Sequence, residues 1–320
     1  MALLYWLESI RNPVLDTVMS AITLAGSEAV FLVAALTVYW CVNKKEGYYI
    51  LFVGYAGTVL SQCLKLACQI PRPWVSDPDF TIVEAARAQA TGYSFPSGHT
   101  QNIAGTFGAI ARWHRQNRLR IVCIVLIVLV SFSRMYLGVH TPLDVAVGFL
   151  ISAVLLFALY PLVMKAAERP KLMYAVLGVM TVLAFAYLLY TNLTEFTPVC
   201  TTAQEIKEEL ACIEDARKNS YSLLGSLLGF LLGYTIERKY VRFEEKAVWW
   251  VQILKVAGGL GITLGIKEGL KALFNAVGFT WLGSNAIRYF AVVLFASAVW
   301  PLVFPLLRRI SERRQTQCSP

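Results

Sequence analysis

Long apolar runs, cut by short polar breaks, make up most of the chain. The first run covers roughly Glu28 to Val42 and stops at Asn43-Lys44-Lys45. The second covers Gly47 to Ile70 and stops at Pro71, a residue that cannot continue a helix. A third starts at Ser97 and ends near Arg112, and a fourth covers Ile121 to Val139 with one internal charge, Arg134. A fifth starts at Pro142, a residue suited to a first helical turn, and ends near Lys165. A sixth covers Leu172 to Tyr190. Three more cover roughly Tyr221 to Ile236, Ala247 to Leu273 and Ala286 to Leu307. Runs near or above about 20 apolar residues cross a bilayer as helices. The pattern therefore predicts an all-α, polytopic helical membrane protein of nine spans: a six-span core and about three C-terminal spans.

The polar breaks mark the divisions. Residues 1–20 mix apolar positions with Glu8, Arg11 and Asp16 and are expected to lie at the interface as an amphipathic segment. A core of six spans is expected over 21–190, a non-cytoplasmic polar loop over 191–219, three further spans over 220–310 and a cytoplasmic tail over 311–320. The break at 71–95 is read as a polar loop with a short helix around Thr81 to Ala90.

Composition agrees with this layout. The chain is 57% hydrophobic and 15% charged, against roughly 25% charged in soluble domains. The net charge of +9 does not point to nucleic acid, because the basic residues sit in short loops between apolar runs and no basic stripe with interleaved aromatics forms. Lys44/Lys45, the Arg112–Arg120 loop, Lys165/Arg169/Lys171, Arg238/Lys239/Arg242/Lys246 and Arg308/Arg309/Arg313/Arg314 all fall on one side of a nine-span trace. The positive-inside rule makes that side cytoplasmic. Residues 1–20 lack the charged n-region and small-residue cleavage site of a removable signal peptide, so none is expected there. The expected location is the plasma membrane, with the C-terminus cytoplasmic. Of the seven cysteines, Cys41, Cys63, Cys68 and Cys123 read as core residues. Cys200 and Cys212 flank the longest polar loop, and whether they pair is left open by spacing alone.

Chemistry enters through three short segments. They are Lys65-x6-Arg72-Pro73, Pro96-Ser97-Gly98-His99 and Ser133-Arg134-x5-His140-x3-Asp144. Two of the chain's three histidines lie in them. On the nine-span trace all three segments reach the non-cytoplasmic face. His140 and Asp144 are one helical turn apart, so the carboxylate can fix the imidazole tautomer and leave the other nitrogen to attack phosphorus. His99 follows Ser97-Gly98 at a helix N-terminus, where backbone amides bind anions and glycine allows close approach. It is placed to protonate a leaving oxygen. Lys65, Arg72 and Arg134 supply positive charge, and each arginine can fork two phosphate oxygens. Taken singly, Lys65 reads as a snorkelling lysine, the Pro-Ser-Gly-His string as a helix cap and His140/Asp144 as a structural bond. Arg134 resists a bland reading, because a charge at membrane depth is a functional candidate by default. Joint occurrence, in order and on one face, favours a site. His114, beside Arg112 and Arg115, reads as a solvated loop residue, and Glu84 with Arg87 as a solvated helix face. Lys255 reads as a lysine that snorkels or pairs with a glutamate, with a role in substrate binding as the alternative.

The three segments resemble the signature motifs of the type 2 phosphatidic acid phosphatase superfamily, integral membrane lipid phosphatases. No signature position departs from the pattern, and the resemblance covers roughly residues 25–165. It implies a six-span helical core and hydrolysis that needs no metal or other cofactor. It implies His140 as nucleophile, Asp144 as its partner and His99 as acid, with Lys65, Arg72, Ser97, Gly98 and Arg134 binding phosphate. A phosphohistidine would form and water would cleave it. The nine-span layout is similar to the sphingosine 1-phosphate and glucose 6-phosphate phosphatase branches. The expected partner is a membrane lipid phosphate. Two other readings compete: a transferase moving the phosphoryl or head group to an acceptor other than water, and a non-catalytic lipid carrier or scaffold.

Overall fold

The computed structural model describes the backbone of residues 1–196 and 203–317, and every regular element among them is helical. The long helices are α1 (Ala2–Ser9), α2 (Pro13–Thr23), α3 (Glu28–Cys41) and α4 (Lys44–Cys68), then a single turn, α5 (Pro73–Ser76). After a 3-10 turn at Glu84–Gln89 come α6 (Gly98–Trp113), α7 (Asn117–Tyr136), α8 (Pro142–Glu168), α9 (Pro170–Leu193) and α10 (Ala203–Ile236). The chain closes with α11 (Trp249–Ala276), α12 (Ser284–Leu294) and α13 (Phe304–Gln317), the last two joined through π and 3-10 turns.

Helices stand at all nine expected span positions. Six stretches are long and apolar enough to cross a bilayer: Lys44–Ser76, Asn117–Tyr136, Pro142–Glu168, Pro170–Leu193, Trp249–Ala276 and Ser284–Ile310. A bent pair, Pro13–Gly26 with Glu28–Cys41 at 47°, makes a seventh. The expected third span, α6, has 16 residues and falls short of the length a membrane helix usually needs. The chain is thus an integral membrane protein of helices, with part of its helical core too short or too polar to qualify by itself.

One expectation is corrected. The stretch 191–219 does not form a loop throughout, because α10 begins at Ala203 and runs unbroken into the apolar region. The reason lies in its buried positions: Glu209, Ile213, Ala216, Ser220, Leu223, Leu227, Phe230 and Tyr234 alternate at spacings of four and three. That is one continuous face of a helix, interrupted in hydropathy by Glu209 and Ser220. The proposed Cys200–Cys212 pair rests on Cys200, which lies outside the described residues.

Two compact units emerge. One contains Met1–Ala34, Tyr49–Met164 and Thr191–Ala216; the other contains Ala35–Tyr48, Lys165–Tyr190 and Arg217–Pro320. Their boundaries fall inside helices and so differ from the divisions drawn at polar breaks, since compactness follows packing and not hydropathy.

In the first unit α6 packs along α7, and α2 and α1 also lie against α7. Leu4 and Leu7 of α1 join Phe80, Ala86, Tyr136, Leu137 and Val139 in one buried cluster. The residues expected at the interface are therefore partly core. Small residues let helices approach α6. A Cβ on Gly148 would stand 2.6 Å from Ser97 O, and one on Gly57 would stand 2.0 Å from Gln101 Nε2. Without bulk solvent to drive association, such close approach is a main source of helix–helix attraction in a bilayer. Ser152 Oγ donates to Gln101 O at 2.7 Å, and Tyr49 Oη donates to Leu156 O at 2.7 Å.

The second unit relies on aromatics and a partly buried ion pair. Trp40 Nε1 donates to Ala296 O at 2.9 Å, and Tyr39 Oη donates to Ser297 O at 3.2 Å. Lys44 Nζ meets Glu237 Oε1 at 2.6 Å and sits 3.7 Å above the Phe243 ring. A Cβ on Gly225 or Gly229 would strike the carbonyl of Ala286 or Phe290, so α10 and α12 touch through backbone.

Candidate active site

All eight site residues named from sequence belong to the first unit. Local structure explains how each is aimed. α7 ends at Tyr136, and Gly138 turns the chain with φ +78. A side chain there would be strained by that φ, and a Cβ would also meet Arg11 Nη2 at 2.7 Å and the Phe80 ring at 3.0 Å. The turn delivers His140 immediately before α8. Thr141 and Asp144 then close a reciprocal cap on α8. Thr141 N donates to Asp144 Oδ2 at 2.8 Å, and Asp144 N donates to Thr141 Oγ1 at 3.2 Å. The cap holds the Asp144 carboxylate in place, and Ser94 Oγ donates to the same Oδ2 at 2.6 Å. That oxygen lies 3.4 Å from His140 Nδ1, an ion-pair distance without hydrogen-bond geometry.

The other ring nitrogen faces Arg72. Arg72 Nη1 lies 3.0 Å from His140 Nε2 and donates to Val139 O at 2.9 Å. Its Nε donates to Gly92 O at 2.9 Å and its Nη2 to Thr91 O at 2.7 Å. Arg72 thus ties the loop before α6 to the turn before α8. An arginine donor at Nε2 fits the tautomer with its proton on Nδ1, toward Asp144, and its lone pair on Nε2. Lys65 Nζ donates to Tyr93 O on that same loop.

The Pro96-Ser97-Gly98-His99 string caps α6. Ser97 Oγ accepts from Thr100 N at 3.4 Å, and Ser97 N donates to Asp144 O at 3.0 Å, which fastens this cap to α8. A Cβ on Gly98 would meet no atom within 4 Å, so there is room beside the helix N-terminus for an anion to approach the backbone. Arg134 is fully buried, and its Nη1 donates to Thr23 Oγ1 at 2.8 Å. Among the described residues its Nε and Nη2 are buried with no partner, as is His99 Nε2.

Burial and charge act together on His140. Desolvation, followed by Arg72, Arg134, Lys65 and His99, pushes its imidazole well below the usual histidine range. The cations and the second histidine therefore all bear on one ring. Lys65, Arg72 and Arg134 are all buried, as is the Asp144 carboxylate. Buried charge without compensation is costly. Unpartnered arginine N–H groups in such a place fit a tetrahedral oxyanion.

Thr23, Tyr93, Ser94 and Thr141 also build the site and escaped the sequence reading. Only the Thr141/Asp144 cap carried a local signal, a Thr three residues before a carboxylate at a helix start. The other three come together only in the fold. His114 lies at the far end of α6, outside this cluster.

This fold and this anion-ready cluster define a membrane-embedded phosphatase, and known proteins agree. Residues 46–168 match the model of the PAP2 superfamily, and residues 221–313 match that of the PAP2 superfamily phosphatase transmembrane extension. The chain is 30% identical over 163 residues to phosphatidylglycerophosphatase B of Bacillus subtilis, covering 46% of this chain and 75% of that protein. It is 30% identical over 153 residues to undecaprenyl-diphosphatase BcrC of the same organism, covering 47% and 75%. It is 29% identical over 147 residues to sphingosine-1-phosphate phosphatase 1 of Rattus norvegicus, covering 43% and 33%. No solved structure matches the chain. The chain belongs to the PAP2 superfamily, and all three chemistry-bearing segments lie inside the region matched to it.

Proposed function

We propose that this phosphatase hydrolyses a lipid phosphate monoester or pyrophosphate through a phosphohistidine on His140. The substrate class follows the relatives named for phosphatidylglycerophosphate, undecaprenyl diphosphate and sphingosine 1-phosphate. The observation that carries the mechanism is the pair of contacts on one ring: Asp144 at Nδ1 and a phosphate-binding arginine at Nε2.

In the first step His140 Nε2 attacks phosphorus and the bond to the lipid oxygen breaks. His99 gives that oxygen its proton. In the second step water attacks the phosphorus, the P–N bond breaks, and His99 takes the water's proton. Lys65, Arg72, Arg134 and the amides at Ser97-Gly98 hold the non-bridging oxygens, where charge grows in the transition state. Side-chain cations take the place that divalent metals fill in many phosphoryl transfers. The active site opens to the non-cytoplasmic face, and the C-terminus lies in the cytoplasm of a plasma membrane protein. Distribution of Lys and Arg among the loops supports that orientation.

Phosphate release by the purified full-length chain from a panel of lipid phosphates tests the proposal. Release is expected to continue in EDTA and to stop with vanadate. A strict requirement for added divalent metal would overturn the mechanism. Phosphoryl transfer to an added alcohol at the expense of free phosphate would favour the transferase reading.

A further inference from the structure

The second unit holds a cavity of about 290 Å³ that plays no part in the chemistry above. Its lining carries five cationic side chains, Arg242, Lys246, Lys255, Arg308 and Arg309, against one carboxylate, Glu244. Glu244 is already engaged, because Arg308 Nη1 donates to its Oε2. The cavity therefore holds a strong excess of positive charge.

Its floor is built and rigid. Lys255, only 1% exposed, places its Nζ 2.9 Å from Glu245 O and 3.2 Å from Glu244 O. Nζ also stands 4.7 Å from the centre of the Phe304 ring. Trp300 Nε1 donates to Lys255 O at 2.9 Å and locks the helix there. An ammonium has three donors, and two of these are used. Among the described residues Lys255 makes no ion pair, and both acceptors of its ammonium are backbone carbonyls. The rim is different: Arg242, Lys246, Arg308 and Arg309 are all exposed.

The surroundings are amphipathic. Trp249 and Ile253, one turn apart on α11, are 74% and 57% exposed, and Leu302 and Leu306 before and within α13 are 52% and 57% exposed. These apolar side chains suit hydrocarbon, while the cavity suits an anion. A soluble anion would use the cations and ignore the apolar flanks. We infer that this cavity is a second lipid site, separate from the catalytic cluster, which takes the head group of an anionic phospholipid with its acyl chains along α11 and α13. Cations near a membrane surface attract such lipids. The inference also gives the region matched to the transmembrane extension a task of its own.

Native mass spectrometry of the full-length protein tests this. Vanadate is present throughout, to occupy the catalytic pocket. The probes are a phosphatidylglycerol and a phosphatidylcholine of equal chain length. Both are phosphodiesters, so neither is a lipid phosphate monoester or pyrophosphate. Retention of phosphatidylglycerol is expected to exceed that of phosphatidylcholine by about tenfold or more, and the exposed triple substitution R242A/K246A/R309A is expected to abolish most of that preference. Lys255→Met should also weaken it; if that variant fails to fold, the rim variant still decides. Inorganic phosphate at millimolar concentration should not displace the lipid. Equal retention of the two lipids, an unchanged preference in the triple variant, or displacement by inorganic phosphate would each overturn the proposal. His140→Ala should leave the preference intact, so failure of the catalytic reading and failure of this one are distinguishable.

Discussion

Lys44 in the second unit and the catalytic cluster in the first hold their cations in opposite ways. In the second unit Lys44 has a carboxylate at 2.6 Å, a backbone carbonyl on Phe243 and an aromatic face beneath it. Its charge is matched inside the protein. In the first unit Lys65, Arg72 and Arg134 make no salt bridge among the described residues, and the Oδ2 of Asp144 already serves Ser94 and Thr141. Arg134 keeps two N–H-bearing nitrogens unpartnered. A matched buried cation contributes to holding helices together. An unmatched one costs stability and persists where a ligand completes it. Counting charges alone would not separate the two cases, since the second unit also buries a cation, Lys255. The inventory of unfilled donors does.

The largest contrast should come from one substitution in each unit. His140→Ala should lower phosphate release by roughly a thousandfold or more, since the nucleophile itself is lost. Circular dichroism and size exclusion should show the same folded protein. Glu237→Gln should do the reverse. It leaves the partly buried Lys44 beside a neutral amide and removes the charge that matches it, so the fold loses stability. The midpoint of thermal unfolding should fall, while the folded fraction keeps its turnover. Loss of turnover at unchanged stability in Glu237→Gln would contradict the division between a structural and a catalytic set of charges.

Much of this was open to reading from the chain. The eight site residues sit in three short segments, and their types are scarce in apolar runs, so each stands out. Thr23, Tyr93 and Ser94 do not, because hydroxyl residues are common throughout and only the fold shows that Thr23 reaches Arg134. The limits of hydropathy show most clearly in α10. Its buried face is helical from Glu209 onward, but charged neighbours such as Lys207 and Glu208 hide that face from any average over the segment. The same averaging counted α6 as a span, where the helix has 16 residues and packs along α7. Division into units was not legible either, since it follows contacts between segments far apart in sequence.

A finer test of the unmatched cluster uses pH. His140 must be neutral to attack. Burial and the neighbouring cations disfavour its protonated form, so the folded protein holds this imidazole below its ordinary value of about 6.5. The neutral form therefore persists as pH falls through that value and is lost only below it. The acid limb of kcat/KM, which reports the free enzyme, should lie under pH 6.5. Arg72→Met removes the largest of the nearby charges acting on the ring. The limb should move upward in that variant, whatever happens to the absolute rate. A limb that stays in place would mean that Arg72 does not act on His140 electrostatically.

The smallest expected effect falls on Thr23. Thr23→Val keeps the shape of the side chain and takes away the acceptor used by Arg134 Nη1. Arg134 would then be buried with no partner for any of its three nitrogens, at a cost of about 1–2 kcal/mol. A bound oxyanion offers Arg134 new acceptors, and any ligand that binds only the folded state raises the unfolding midpoint. Vanadate should therefore stabilise both proteins and narrow the gap between them. The measurement is thermal unfolding of wild type and Thr23→Val, each with and without vanadate. A gap that stays constant would show that Thr23 serves packing alone, and that the unfilled donors of Arg134 do not face the anion.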